Sequence, residues 1–339
     1  VLPSVFHTGS SPFNILQLFN PGKAAATATL KLFDYSGSLI KTVSQTIPGT
    51  SDSAPGGGTL IRDLTDIFTG INFSSFTGGY VKGSSDVALV ASENFGNALD
   101  SNILQAQTTI QQKTFDVAHF ASGGGYSTEL NIVDLDTAAA ANVTLTLFDN
   151  TGAQIAGPVN VVVPQGGQLV KAIDQLFLSL GTALTTGYIQ LHIEPSFIGP
   201  FGSTATVAGS VRFSASDGSS SAALPLFIPP ATDFYYSQVA QNQGWYTGVA
   251  VLNTSSTTKA DVTLDVYTKD GILAGSFETL ILPGQKISKL LYEMVQNSGG
   301  QVGGYVHIHS DQPVVSFSLF GTSDGKLLSA IPPQSVTLQ

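Results

Sequence analysis

The chain has 339 residues, of which 11% are charged; 13 Lys and Arg against 23 Asp and Glu give a net charge of −10, and cysteine is absent. No basic run exists, so nucleic acid is excluded as a partner, because holding a phosphate backbone needs a positive stripe. An anionic membrane surface is disfavoured for the same reason, no apolar stretch reaches the roughly 18 residues of a spanning helix, and disulfides and thiolate metal sites are ruled out.

Glycine is abundant at 36 residues, Ser and Thr are frequent, and mean hydropathy is +0.22. A surface covered by hydroxyls and amides more than by charge is commoner in extracellular β-proteins than in cytosolic enzymes. The chain is therefore expected to be secreted or on a cell surface, with a signal peptide removed ahead of Val1.

One pattern is written three times. Ala28-Thr29-Leu30-Lys31-Leu32-Phe33 runs into an Asp34-x-x-Gly37 turn. Val143-Thr144-Leu145-Thr146-Leu147-Phe148 runs into Asp149-x-x-Gly152, and Val262-Thr263-Leu264-Asp265-Val266-Tyr267 into a turn ending at Gly271. Each is a period-2 strand with one buried face. The turn glycines stand about 115 residues apart, the size of a whole domain rather than of a solenoid unit.

In chain order each repeat opens on an aromatic-rich first strand (Val5-Phe6-His7, Phe115 to Phe120, Phe234-Tyr235-Tyr236). A Gly/Ser/Gln loop and a second strand follow, the latter ending in an Asx turn signal at Asn20, Asp134 or Asn253. After the shared motif come a fourth strand and a Gly turn (Gly56-Gly57, Gly166-Gly167, Pro283-Gly284). Next are a short strand and a single helical turn, at Asp63 to Phe68, Ala172 to Phe177 and Leu290 to Val295. A second marker then appears as Gly79-Tyr80, Gly187-Tyr188 and Gly304-Tyr305, and a final hairpin closes each unit. Two of these hairpins turn at Asp217-Gly218 and Asp324-Gly325. The spacing predicts repeats at 1–111, 112–229 and 230–339, the last with a C-terminal extension. Helix content beyond single turns should be near zero.

Seven or eight strands in about 110 residues, with turn signals every 8–12 residues, make an all-β chain of three tandem β-sandwiches. This pattern resembles the immunoglobulin-like and fibronectin type III-like modules strung along bacterial secreted and cell-surface proteins. The resemblance implies a sandwich fold and a structural or adhesive use.

Candidate chemistry is sparse. His307 and His309 alternate with Val306 and Ile308, which places both, with Asp311, on one outward strand face, the spacing of a weak metal site. The bland reading, a solvated or interface face, is preferred, and no cofactor is expected. His7 and His119 sit near the starts of their repeats and read as structural hydrogen-bonding groups. The chain contains no Gly-x-Ser-x-Gly elbow. Asp63, Asp66, Asp174 and Glu293 cluster at the helical turns, where first-turn carboxylates cap orphan N–H groups. Trp245, Tyr246, Tyr235 and Tyr236 are candidates for an aromatic sugar platform, although packing is the commoner use of such rings. Asn72, Asn142 and Asn253 match the glycosylation pattern.

These readings favour a non-enzymatic structural protein, the subunit or decoration of an extracellular filament or surface layer. The alternatives are an adhesin or carbohydrate-binding array and a non-catalytic region of a larger secreted enzyme. Self-association, or binding to another surface protein, is expected through Val1 to Phe6 and Gln334 to Gln339, because Ser335 to Leu338 alternates like a strand.

Overall fold

The computed structural model describes residues 1–5, 12–51, 56–98, 100–110, 112–136, 138–195, 206–241, 244–298 and 300–334. The protein is all-β, with several antiparallel sheets packed in a sandwich-like manner. In the first repeat the strands are β1 (Leu2–Val5), β2 (Phe13–Asn20), β3 (Ala26–Asp34), β4 (Leu39–Ile47), β5 (Gly58–Asp63), β6 (Gly79–Ser85), β7 (Val90–Gly96) and β8 (Ser101–Gln105). They form two four-stranded sheets, ordered β1-β6-β3-β4 and β5-β2-β7-β8.

The second repeat follows the same plan with β9 (Thr114–Ser122), β10 (Tyr126–Asp134), β11 (Ala141–Phe148), β12 (Gln154–Val163), β13 (Gln168–Ala172), β14 (Thr185–Pro195), β15 (Val207–Ala215) and β16 (Ser221–Pro225). The sheets are β9-β14-β11-β12 and β13-β10-β15-β16. The third uses β17 (Ala231–Tyr236), β18 (Trp245–Leu252), β19 (Ala260–Tyr267), β20 (Leu273–Ile281), β21 (Lys286–Leu290), β22 (Tyr305–Thr322) and β23 (Leu328–Ile331). Here β22 does the work of two strands. Its first part pairs with β17 and β19, and its second part with β18 and β23. The sequence pattern suggests two strands at this place; only Asp311-Gln312-Pro313 separates them, too little for a loop, so the chain crosses from sheet to sheet without a break.

The period-2 motif behaves as its alternation dictates. Leu30, Leu32, Leu145, Leu147, Leu264 and Val266 are all buried, while Phe33, Phe148 and Tyr267 are half-buried on the opposite face. There each ring stacks on the tyrosine of the second marker: Phe33 on Tyr80 at 4.9 Å, Phe148 on Tyr188 at 5.0 Å and Tyr267 on Tyr305 at 4.6 Å. The glycine before each tyrosine is required by close backbone approach. A Cβ on Gly79, Gly187 or Gly304 would collide with the carbonyl of Phe33, Phe148 or Tyr267.

The helical turns are α1 (Leu64–Ile67), α2 (Ile173–Leu176) and α3 (Leu291–Met294). Asp63 caps α1 by accepting the Thr65 N–H, and Glu293 accepts the N–H of Leu290 (2.8 Å). Asp66 and Asp174 lie in first turns. Among the described residues no helix is long and apolar enough to cross a membrane.

The Asx signals are realised by inward side chains. Asn20 donates to the carbonyls of Ala24 and Ile47, and Asn253 to those of Thr258 and Ile281. Asn253 is fully buried, so its matched glycosylation pattern is inaccessible in the folded chain; Asn72 and Asn142 are exposed.

The described ends pair within their own repeats. Leu2–Val5 pairs with β6 of its own repeat, and Val1 pairs with Gln107. Gln334 exchanges both backbone hydrogen bonds with Tyr235 (2.9 and 3.0 Å) of its own repeat. Phe6, His7 and residues 335–339 lie outside the described residues.

Fully burying a leucine side chain stabilises by about 1.5–3 kcal/mol, and truncating it leaves a cavity as well. Leu145→Ala is therefore expected to lower unfolding free energy by about 2–5 kcal/mol. Thr146→Ala, on the solvent side of the same strand, should change it by less than about 0.5 kcal/mol. Urea unfolding followed by fluorescence measures both.

Candidate functional site

The most elaborate constellation in the chain lies where one repeat meets the next, and it is built twice. At the first junction the N–H of Gln168 donates to the carbonyl of Tyr35, the second residue of the Asp34-x-x-Gly37 turn (2.9 Å). At the second, the N–H of Lys286 donates to Asn150, the second residue of the Asp149-x-x-Gly152 turn (3.0 Å). Gln168 and Lys286 are the same register position, facing Val133 and Leu252 across their strand pairs.

Glycine is needed on both sides. Gly37 and Gly152 have φ of 85° and 84°, the left-handed region open chiefly to glycine. A Cβ on Gly37 would collide with the Gly166 carbonyl, and one on Gly152 would stand 2.7 Å from the Gly284 carbonyl. The marker tyrosines close the contact. Tyr80 Oη donates to the Gly166 carbonyl (2.6 Å), and Tyr188 Oη lies 3.6 Å from where a Gly284 Cβ would be. Burial pushes the Tyr80 and Tyr188 hydroxyls up to about 12.

The first strand of each repeat then lies on the second sheet of the next. Pro3 O accepts from Asn131 Nδ2 and Gln168 Nε2 (2.6 Å each), and Ser4 Oγ meets Ser210 Oγ at 3.4 Å. At the second junction His119 takes the place of Ser4. Its ring is 5.8 Å from those of Phe213 and Phe317. The Lys286 ammonium spans the junction to His119 Nδ1 (2.8 Å) and the Gly187 carbonyl (2.5 Å). Burial and the Lys286 charge hold His119 well below its ordinary value, so the ring is neutral and accepts; burial lowers Lys286 to about 7. The core of the second repeat continues without a break into Ala250, Leu252, Val315 and Phe317 of the third. A cavity of about 430 Å³ opens beside it, lined by His119, Tyr126, Phe213, Tyr246 and Phe317 among others.

The residues singled out from sequence fall elsewhere. His307 Nε2 and His309 Nδ1 both meet Asp233 Oδ1 at 3.1 Å. Asp311 instead accepts the N–H of Asp261 (2.8 Å), so Asp233, on the neighbouring strand, is the carboxylate brought to the pair. Among the described residues no group of three or more His, Asp and Glu is arranged to hold a metal ion. Tyr235 stacks on His307 at 4.3 Å and is half-buried. Tyr236 is fully buried and donates to Ser316 Oγ (2.7 Å); it points into the core and offers no platform. Trp245 packs near Phe320, with ring centres 6.2 Å apart, and Tyr246 lines the junction cavity. His192 pairs with Glu194 at 3.3 Å and meets Thr114 Oγ1 at 2.7 Å.

The junction residues Tyr35, Asn150, Gln168 and Lys286 carry no motif of their own in the sequence. The signal that could have found them is the recurrence of Gly37/Gly152 with Gly166/Gly284 at nearly equal spacings of 129 and 132 residues. No protein-family model matches the chain, and neither does any curated protein.

Glu93 is fully sequestered beneath β1, where its Oε2 accepts the Ser4 N–H at 3.4 Å, and burial raises its carboxyl to about 8. The unfolded chain loses this proton near 4.5 and the native chain near 8, so the group's contribution to stability falls as pH rises across that window. The stability of the native protein relative to Glu93→Gln should therefore decline between pH 5 and 8, measured by thermal unfolding of the two side by side. A difference that stays constant over that range would show that Glu93 is not shifted.

Proposed function

We propose that the chain is a non-enzymatic structural protein, secreted or held at a cell surface, made of three tandem immunoglobulin-like sandwich modules. It serves as the subunit or decoration of an extracellular filament or surface layer. The observation that carries this reading is the duplicated junction. Two successive pairs of repeats meet through the same turn contact, with buried polar side chains crossing between them, which suits repeats held in fixed contact. A binding array on flexible linkers needs no such contact.

The chemistry supports the same reading. Each described histidine is committed to a partner that stabilises packing or a strand face, and the low charge suits a chain whose faces meet neighbours more than solvent. The alternative, a carbohydrate-binding or adhesive module, is favoured by the half-buried aromatic row of Tyr235, Tyr267 and Tyr305 beside Asp233 and His307. Aromatic faces with polar neighbours suit sugar rings.

Electron microscopy and sedimentation velocity of the purified chain over a range of concentrations test the structural reading. Filaments or sheets, with a sedimentation coefficient that grows with concentration, are expected. A chain that stays monomeric at every concentration, and that retains soluble glycans through Tyr235, would replace it with the adhesive one.

A further inference from the structure

The pattern of the two internal junctions leaves a donor face on the first repeat and an acceptor face on the third. On the third repeat, Lys269 stands where Tyr35 and Asn150 stand in theirs, and a Cβ on Gly271 would meet nothing within 4 Å. Tyr305 occupies the place of Tyr80 and Tyr188 opposite Tyr267. Those two are 2% and 5% exposed, whereas Tyr305 is only half-buried. Close by, Ile272 and Val302 are 66% and 63% exposed.

The first repeat presents the reciprocal surface. Gly57, with φ of 87°, holds the position of Gly166 and Gly284. Thr59 faces Phe19 as Gln168 faces Val133 and Lys286 faces Leu252; Gln168 and Lys286 are buried and Thr59 is exposed. Val90 is 56% exposed, while Ala208 and Val315 at the same register are 0% and 2%. Gln17 holds the place of Asn131 and carries the same amide that Asn131 uses to reach Pro3.

We propose that these two faces bind each other between copies of this chain, the third repeat of one molecule docking on the first repeat of the next in the geometry of the internal junctions. The inference rests on the structural reading above and names its partner as a second copy. The contact is heterologous, head to tail, so each addition regenerates both free faces and growth is open-ended. The occupant is argued from continuity: the two faces are the missing halves of a contact the chain already makes twice. Thr59 is shorter than Gln168 or Lys286, so the intermolecular contact lacks their cross-junction reach and is weaker than the internal ones.

The absence of cysteine allows a direct test. At the internal junctions Ser4 touches Ser210 and His119 touches Phe317; the corresponding pair between copies is Gln238 of one molecule and Ser92 of the next. Ser92→Cys and Gln238→Cys are made separately in the full chain, mixed and oxidised. The expected result is a disulfide-linked dimer in the mixture that neither variant gives alone at equal concentration. Assembly of the unmodified chain by microscopy without that dimer would overturn the head-to-tail contact and leave the structural reading standing. A chain that neither assembles nor crosslinks would overturn both.

Discussion

A carbonyl at the tip of a tight turn, accepting an N–H from the next repeat, is the contact on which the rest of the arrangement depends. One such bond is worth only about 0.5–1.5 kcal/mol net, but its geometry sets everything around it. The turn can approach that closely only because Gly37 and Gly152 lack a Cβ, while Gly166 and Gly284 opposite them are glycines for their positive φ of 61° and 69°. Once the turns touch, Tyr80 and Tyr188 are covered, and Gln168 and Lys286 are trapped in the seam with their polar ends needing partners. Their donors find acceptors there, Gln168 Nε2 in Pro3 O and Lys286 Nζ in Gly187 O and His119 Nδ1, because an unsatisfied buried donor costs about 1–3 kcal/mol; the Gln168 Oε1 is left without a partner among the described residues.

The second junction carries more risk than the first. It places an ammonium group among phenylalanines, and burial answers by lowering Lys286 to about 7 and keeping His119 neutral. The first junction solves the same problem with amides and hydroxyls. Beside Tyr35 the first junction also carries the partly buried Arg212–Glu129 ion pair (3.1 Å), one of few in a chain in which only 11% of residues are charged. The continuous core between the second and third repeats makes that pair the firmer of the two, since apolar burial and the turn contact act together there.

Much of the fold was legible because period-2 alternation with one buried face is a strong signal, and Leu145 and Leu147 sit between threonines in the plainest form of it. The helical turns were legible for a similar reason: Asp63 ahead of a Leu-x-x-Ile step is a capping pattern. The junction was not, because a glycine that admits a neighbour's carbonyl reads the same as one that only turns the chain. The outward His pair is legible from alternation, but the sequence offers Asp311, along the same strand, as its carboxylate; Asp233 lies across the sheet, a relation set by register rather than by sequence distance. Tyr235 and Tyr236 cannot both be an aromatic platform, since adjacent strand residues face opposite ways, and Tyr236 is the buried one.

Amide hydrogen exchange, read residue by residue, probes the turn contact most directly. In dilute solution the N–H groups of Gln168 and Lys286 should be protected to the level of the sheet interior, while that of Thr59 exchanges rapidly. As concentration rises, the Thr59 N–H should slow as it finds the Lys269 carbonyl of another copy. Rapid exchange at Gln168 and Lys286, or a Thr59 N–H that stays fast in assembled material, would contradict this account of how the repeats hold together.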